Sequence, residues 1–181
     1  EVIKMADLFM KEGFNYFDTA HGYLDGLSEK AFKVAVADRY DRESYILTNK
    51  LTGDYWWEES GIEPLFEAQL AACGVSYFDN YLMHAQNARL HERYLKNGAY
   101  KVGKKLKEEG KIKHLGISFH DTSDVLEKIL TDCPEIELVQ IQFNYYDLDS
   151  DNVQSKKVYE VCRKHQRIVQ RTGPQSELAE S

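Results

Sequence analysis

The polarity of this chain alternates between two periods. Runs with apolar residues three and four apart are followed by short stretches dense in Tyr, Phe, Ile, Leu and Val, the patterns of amphipathic helices and buried strands. The first helix is predicted from Val2 to Glu12, where Ile3, Met5, Ala6, Leu8, Phe9 and Met10 supply an apolar side and Gly13 ends it. A second runs from Ser28, read as its cap, to about Arg39, and others cover 62–73, 99–109, 122–130 and 155–165. Strands are predicted over 15–19, 45–48, 76–83, 114–119 and 138–143. Their ends fall roughly 24 to 36 residues apart, the spacing of βα units in a parallel sheet. The expected fold is α/β, with about five parallel strands and six helices in one domain, 1–167. The stretch 168–181 is expected to be an irregular or disordered tail. Ile168-Val169 offers a short apolar pair where another strand would start, but Gln170, Arg171 and Thr-Gly-Pro interrupt it.

Composition narrows the function classes. At 43% hydrophobic and 12% aromatic residues, the chain can build a core and is not disordered throughout. Its 181 residues suit one domain but are too few for eight complete βα units. Thirty acidic against 23 basic residues give a net charge of -7, which argues against a nucleic-acid or anionic-membrane partner. No run of 18 apolar residues occurs, so no membrane span is expected. The lysines of 99–113 read as a solvated outer helix, because acidic residues dilute them. Cys73, Cys133 and Cys162 read as buried thiols, and a cytoplasmic location is expected. The histidines lack ligand spacing for a metal, and neither G-x-G-x-x-G nor a P-loop is present.

The candidate chemistry lies at the strand ends, where parallel α/β folds place their sites. Asp18 closes NYFD, Lys50 closes YILTNK, His84 closes NYLMH, and Tyr23 follows Asp18 by five residues. A phenol is a weak acid at neutral pH, and a neighbouring ammonium favours its phenolate. A carboxylate can hold that ammonium, and an imidazole can direct a carbonyl oxygen. Singly, each residue has an ordinary structural reading; the succession at matching strand ends points to carbonyl reduction. Trp56 and Trp57, in the loop after Lys50, either line a pocket or pack on the next helix.

The segments GFNYFDTAHGY, GLSE, YILTNK, YFDNYLMH, KIKHLGIS and LVQIQFNYY resemble the aldo/keto reductase family, in its bacterial branch, from residue 1 to about 167. The resemblance implies a partial (β/α)8 TIM barrel holding strands two to six, with N- and C-terminal units missing. It implies reduction of aldehydes or ketones, a small carbonyl substrate, and NADPH or NADH as cofactor. By resemblance Tyr23 is the general acid, Lys50 and Asp18 tune it, and His84 orients the carbonyl. Ser118 and Gln140 would hold the nicotinamide carboxamide and Tyr145 would stack on the ring. Phe119 stands where the family has Asn, and the missing units leave the cofactor site incomplete. No C-x-x-C-x-x-C is present for an iron–sulfur cluster. Three functions stay open: a reductase, an inactive fragment or remnant that keeps the four residues, and an assembly module pairing through open barrel edges. Phe17, Leu47, Tyr81, Ile117 and Ile141 are expected on the inner face of the sheet, where their exposure predicts self-association.

Overall fold

The computed structural model describes residues 1–143 and 154–172. Tyr145 and the segment after Thr172 lie outside the described residues. The elements run α1 (Val2–Lys11), β1 (Tyr16–Asp18), α2 (Leu27–Phe32), β2 (Ile46–Leu51), α3 (Ile62–Cys73), β3 (Phe78–Gln86), α4 (Ala88–Lys96), α5 (Ala99–Glu108), β4 (Ile112–Phe119), α6 (Ser123–Asp132), β5 (Leu138–Gln142), α7 (Ser155–Lys164) and β6 (Ile168–Thr172). Six strands pair in chain order, each parallel to the next. With the seven α-helices of the described residues on its outer side, the sheet makes a partial barrel.

Three elements depart from the sequence reading. A sixth strand follows α7, pairing Leu138 with Ile168 through to Gln142 with Thr172. Gln170 does not interrupt it, because this position falls on the inner face, in register with Gln140 of β5 and against the Tyr16 hydroxyl. Arg171, on the outer face, lies with its guanidinium 5.8 Å from the centroid of the Phe143 ring. Helix α4 is absent from the sequence-based expectation because it is mostly polar: it buries His91 and Tyr94, packs Leu90 against the core, and starts where the Asn87 side chain accepts from the Leu90 amide at 3.0 Å. Ser28 is not a cap. Gly26, left-handed at φ 79°, precedes α2, and Ser28 Oγ lies 2.8 Å from Thr19 Oγ1.

The two faces of the sheet are opposite to expectation. Phe17, Leu47, Tyr81, Ile117 and Ile141 point outward, into the helix layer. The Phe17 ring meets Phe9 of α1 at 5.3 Å and Phe32 of α2 at 5.5 Å, and Tyr81 meets Phe66 of α3 at 5.0 Å. The apolar parity belongs outside because there it packs against helices and leaves water. The inner parity carries Tyr16, Asp18, Thr48, Lys50, Asn80, Ser118, Gln140 and Gln170, together with the apolar Ile46, Leu82, Leu138 and Ile168. The Tyr16 hydroxyl contacts both Thr48 and Gln170, and accepts from Asn80 Nδ2 at 3.3 Å. Burial pushes the Tyr16 phenol up to about 12, against the pull of its Thr48 and Asn80 hydrogen bonds. This network joins β1 to β6, the two ends of the sheet, through side chains, so the sheet curls.

The lysine-rich run is an outer helix, with Tyr100, Val102 and Leu106 buried. Lys101, Lys105 and Lys111 meet Glu59, Glu63 and Glu67 at 2.6, 2.8 and 2.6 Å, lacing α5 and the turn after it to α3 and the turn before it. Such exposed pairs each stabilise little. At the opposite end from the candidate site, buried Asp79 accepts from Arg42 at 2.6 Å, Lys113 at 2.7 Å and the Leu47 amide at 2.9 Å.

Gly116 lets β4 and β5 approach on the inner face. A Cβ there would lie 2.5 Å from the Leu138 carbonyl oxygen and 2.6 Å from Leu82 Cδ2. The carbonyl cannot retreat without opening the β4–β5 pairing. Gly116→Ala is therefore expected to lower stability by about 2 kcal/mol, read as a lower urea midpoint at unchanged slope. An unchanged midpoint would show that the strands give way freely.

Candidate active site

Lys50 decides the geometry. Its side chain is 1% exposed, on the inner face of β2. An ammonium so buried is tolerable only when paired and hydrogen-bonded. It contacts Asp18 Oδ1 directly and donates to the Thr19 carbonyl at 3.0 Å. The second Asp18 oxygen accepts from Gln140 Nε2 at 2.8 Å, across the barrel mouth from β5. The family resemblance assigns Gln140 to the nicotinamide carboxamide; in the structure its amide nitrogen completes the surroundings of Asp18.

Tyr23 stands on the loop after β1. Beyond it Leu24, Asp25 and Gly26 are all left-handed, at φ 52°, 53° and 79°, a conformation that costs the two non-glycine residues. The Lys50 ammonium lies 4.7 Å from the centroid of the Tyr23 ring, and the Tyr23 hydroxyl lies 3.4 Å from His84 Nε2. His84 sits in an irregularity of β3. The register with β4 shifts between Met83 and Gln86, and Ala85 has φ 55°. Such a bulge re-aims a side chain beside a site. His84 Nδ1 lies 2.8 Å from Thr52 Oγ1. Burial, then the charges of Lys50 and His120, push the imidazole down to about 4, so it is neutral at neutral pH.

Asp18, Tyr23, Lys50 and His84 thus meet at one rim, as their succession in the sequence suggested. Ser118 and Gln140 lie side by side on adjacent strands, both buried. Phe119 faces outward into the core. Two residues at the rim escaped the sequence reading. Thr52 holds His84, and His120 places Nε2 3.3 Å from Ser118 Oγ. Burial, then the charge of Lys50, lowers the His120 imidazole. The alternation from Ser118 to His120 was the signal that could have found it. Of the tryptophan pair, Trp56 is buried against Tyr94 and Trp57 is exposed. Among the described residues no cluster of His, Cys, Asp or Glu could hold a metal ion, and no helix is long and apolar enough to cross a membrane.

A parallel partial barrel with an Asp–Lys pair, a tyrosine and a histidine at the C-terminal rim of its strands defines an α/β-barrel protein equipped for proton transfer. A family model described as "Aldo/keto reductase family" matches residues 1–170, and the chain belongs to that family. Over 109 residues it is 31% identical to an aldo-keto reductase of Mycobacterium sp. (strain KMS) and 30% identical to one of strain JLS. Each match covers 59% of this chain and 36% of the relative. The fold resembles an aldo/keto reductase of Brucella melitensis, with TM-score 0.76 and 23% identity, covering 99% of this chain and 65% of that one. It also resembles an aldo-keto reductase of Klebsiella pneumoniae solved in complex with NADPH, with TM-score 0.71 and 22% identity, covering 92% and 55%. The chain thus spans about a third of the curated relatives it matches, and 55% and 65% of these two structures.

The depressed His84 sets a pH dependence. Below about pH 6.5 the unfolded chain takes up a proton that folded His84 refuses until about pH 4. Stability therefore falls as pH drops through that window, by at most about 1.4 kcal/mol per pH unit from this group. His120 acts in the same direction. His84→Gln is expected to flatten the slope in urea titrations at pH 7, 6 and 5. A variant with the parental slope would mean that His84 titrates normally in the folded chain.

Proposed function

We propose that this chain carries the proton-delivery half of an NAD(P)H-dependent reductase that converts aldehydes or ketones to alcohols. The observation that carries the reading is the Lys50 ammonium, buried between the Asp18 carboxylate and the Tyr23 ring while the Tyr23 hydroxyl faces His84. In the reaction the carbonyl carbon gains a hydride and the oxygen gains a proton. Tyr23 gives its O–H proton to that oxygen. Lys50 favours the phenolate left behind, and Asp18 keeps the ammonium in place. Neutral His84 lies beside the Tyr23 hydroxyl and directs the same oxygen.

When bound, the nicotinamide supplies the hydride. The residues present suit its carboxamide: a hydroxyl from Ser118, and from Gln140 the amide oxygen left over once Nε2 has gone to Asp18. His120 widens that polar edge. Tyr145 remains our candidate for stacking on the ring. The chain's share of its longer relatives supports a cofactor site only partly present, with NADPH or NADH held weakly. Three free, buried cysteines fit a reducing, cytoplasmic setting.

The test is carbonyl-dependent oxidation of NADPH at millimolar concentration, which offsets weak cofactor binding. Tyr23→Phe is expected to lower the rate by about 10²-fold or more. Equal rates in parent and variant would remove Tyr23 from the mechanism, and a parent with no rate would refute the reading.

A second reading, assembly with another copy, is favoured by the exposed side chains of Val2, Met5, Leu8 and Phe14 beside the open edge of β1. Sedimentation at several concentrations is expected to show mass action, and a concentration-independent monomer excludes it.

A further inference from the structure

We infer that Glu29 is a positioning residue that fixes the loop carrying Tyr23 against the strand carrying Lys50. The inference rests on the roles proposed for those two residues. Glu29 belongs to α2 and its side chain is 1% exposed. A buried carboxylate demands a donor for each oxygen. Oε2 lies 2.9 Å from Nδ1 of His21, two residues before Tyr23. Oε1 accepts from Asn49 Nδ2 at 2.8 Å, one residue before Lys50. The Asn49 side-chain oxygen Oδ1 in turn accepts from the Lys50 backbone N–H at 2.8 Å. One short, rigid group therefore ties both segments, and through them sets how Tyr23 and Lys50 stand to each other. A carboxylate only accepts, so His21 presents its proton on Nδ1.

The loop needs such a hold. Leu24 and Asp25 follow Tyr23 in a left-handed conformation that L residues rarely adopt, and it persists only where the surroundings over-determine it. His21 supplies the loop's end of the tie and also packs its ring edge-on against Tyr55 at 4.7 Å. Glu29 touches neither the Tyr23 hydroxyl nor the Lys50 ammonium, so its effect runs through position alone.

Hydrogen exchange reads this without any turnover. The amides of Tyr23, Gly26, Leu27 and Ser28 are hydrogen-bonded within the turn, to Ala20, Tyr23, Leu24 and again Tyr23, at 3.0, 3.2, 3.0 and 3.3 Å. Glu29→Met keeps the volume and removes both acceptors. It is expected to speed exchange of those four amides about tenfold or more, with the amides of β3 unchanged. Glu29→Gln should restore parental exchange, since its oxygen can serve Asn49 while its N–H donates to the other tautomer of His21. His21→Ala, on the loop itself, removes one end only; it should loosen the same amides and carries the test where Glu29→Met does not fold. In the reductase assay, Glu29→Met should lower kcat about tenfold or more at unchanged KM, and cost nothing further on a Tyr23→Phe background. Parental exchange in both Glu29→Met and His21→Ala overturns the tie. A loosened loop with parental kcat overturns its role in the reaction. A parent that reduces no carbonyl refutes the proposed function instead, and leaves the exchange result to decide the tie.

Discussion

The structure turns on a buried ammonium. Lys50 lies at the inner mouth of the sheet with almost no contact with solvent, and a charge there would unfold the strand end unless neighbours met it. Asp18 meets it from β1, the Thr19 carbonyl adds an acceptor, and Gln140 reaches from β5 to hold the carboxylate's second oxygen. Three strands are thereby committed to one charge. The same charge lies under the Tyr23 ring and helps keep His84 neutral. Removing it would leave a carboxylate half-paired and a tyrosine without its electrostatic neighbour, while burial would still hold the His84 imidazole down.

That polar demand explains the division of the sheet. The outward parity carries Phe17, Leu47, Tyr81, Ile117 and Ile141 into the helix layer, where burial stabilises the fold. The inward parity mixes Leu82 and Leu138 with hydrogen-bonding groups that meet one another across the curve: Tyr16 with Gln170, Asp18 with Gln140, Asn80 with Thr48. Exposed apolar side chains lie along α1, at Val2, Met5 and Leu8, and at the start of β2 and β6, at Ile46 and Ile168.

Around the charge, each functional side chain is aimed by a local irregularity and held by a neighbour. A bulge in β3 turns His84 toward Tyr23, with Thr52 bracing its far nitrogen. Three left-handed residues turn the chain after Tyr23, with the Thr19–Ser28 and His21–Glu29 contacts spanning the loop. These are departures from regular structure at the positions where regular structure would point the groups elsewhere.

The sequence alone determined the βα alternation, because helix and strand periods are written into the order of apolar residues, and it determined the four rim residues, because each closes or follows a strand. It missed α4, a mostly polar helix whose buried side is His91, Tyr94 and part of Leu90, and it missed β6, whose Gln170 looks like an interruption until its place beside Gln140 and Tyr16 is known. Which parity faces the helices is not written in a strand that is hydrophobic on one side and hydrogen-bonding on the other; only packing against Phe9, Phe32 and Phe66 decided it. The partners of the site were equally hidden. Gln140 on Asp18, Thr52 on His84 and Glu29 between His21 and Asn49 are contacts between residues up to 122 apart in the chain. Sequence spacing supplies the strand ends; curvature of the sheet alone brings their side chains within hydrogen-bonding distance.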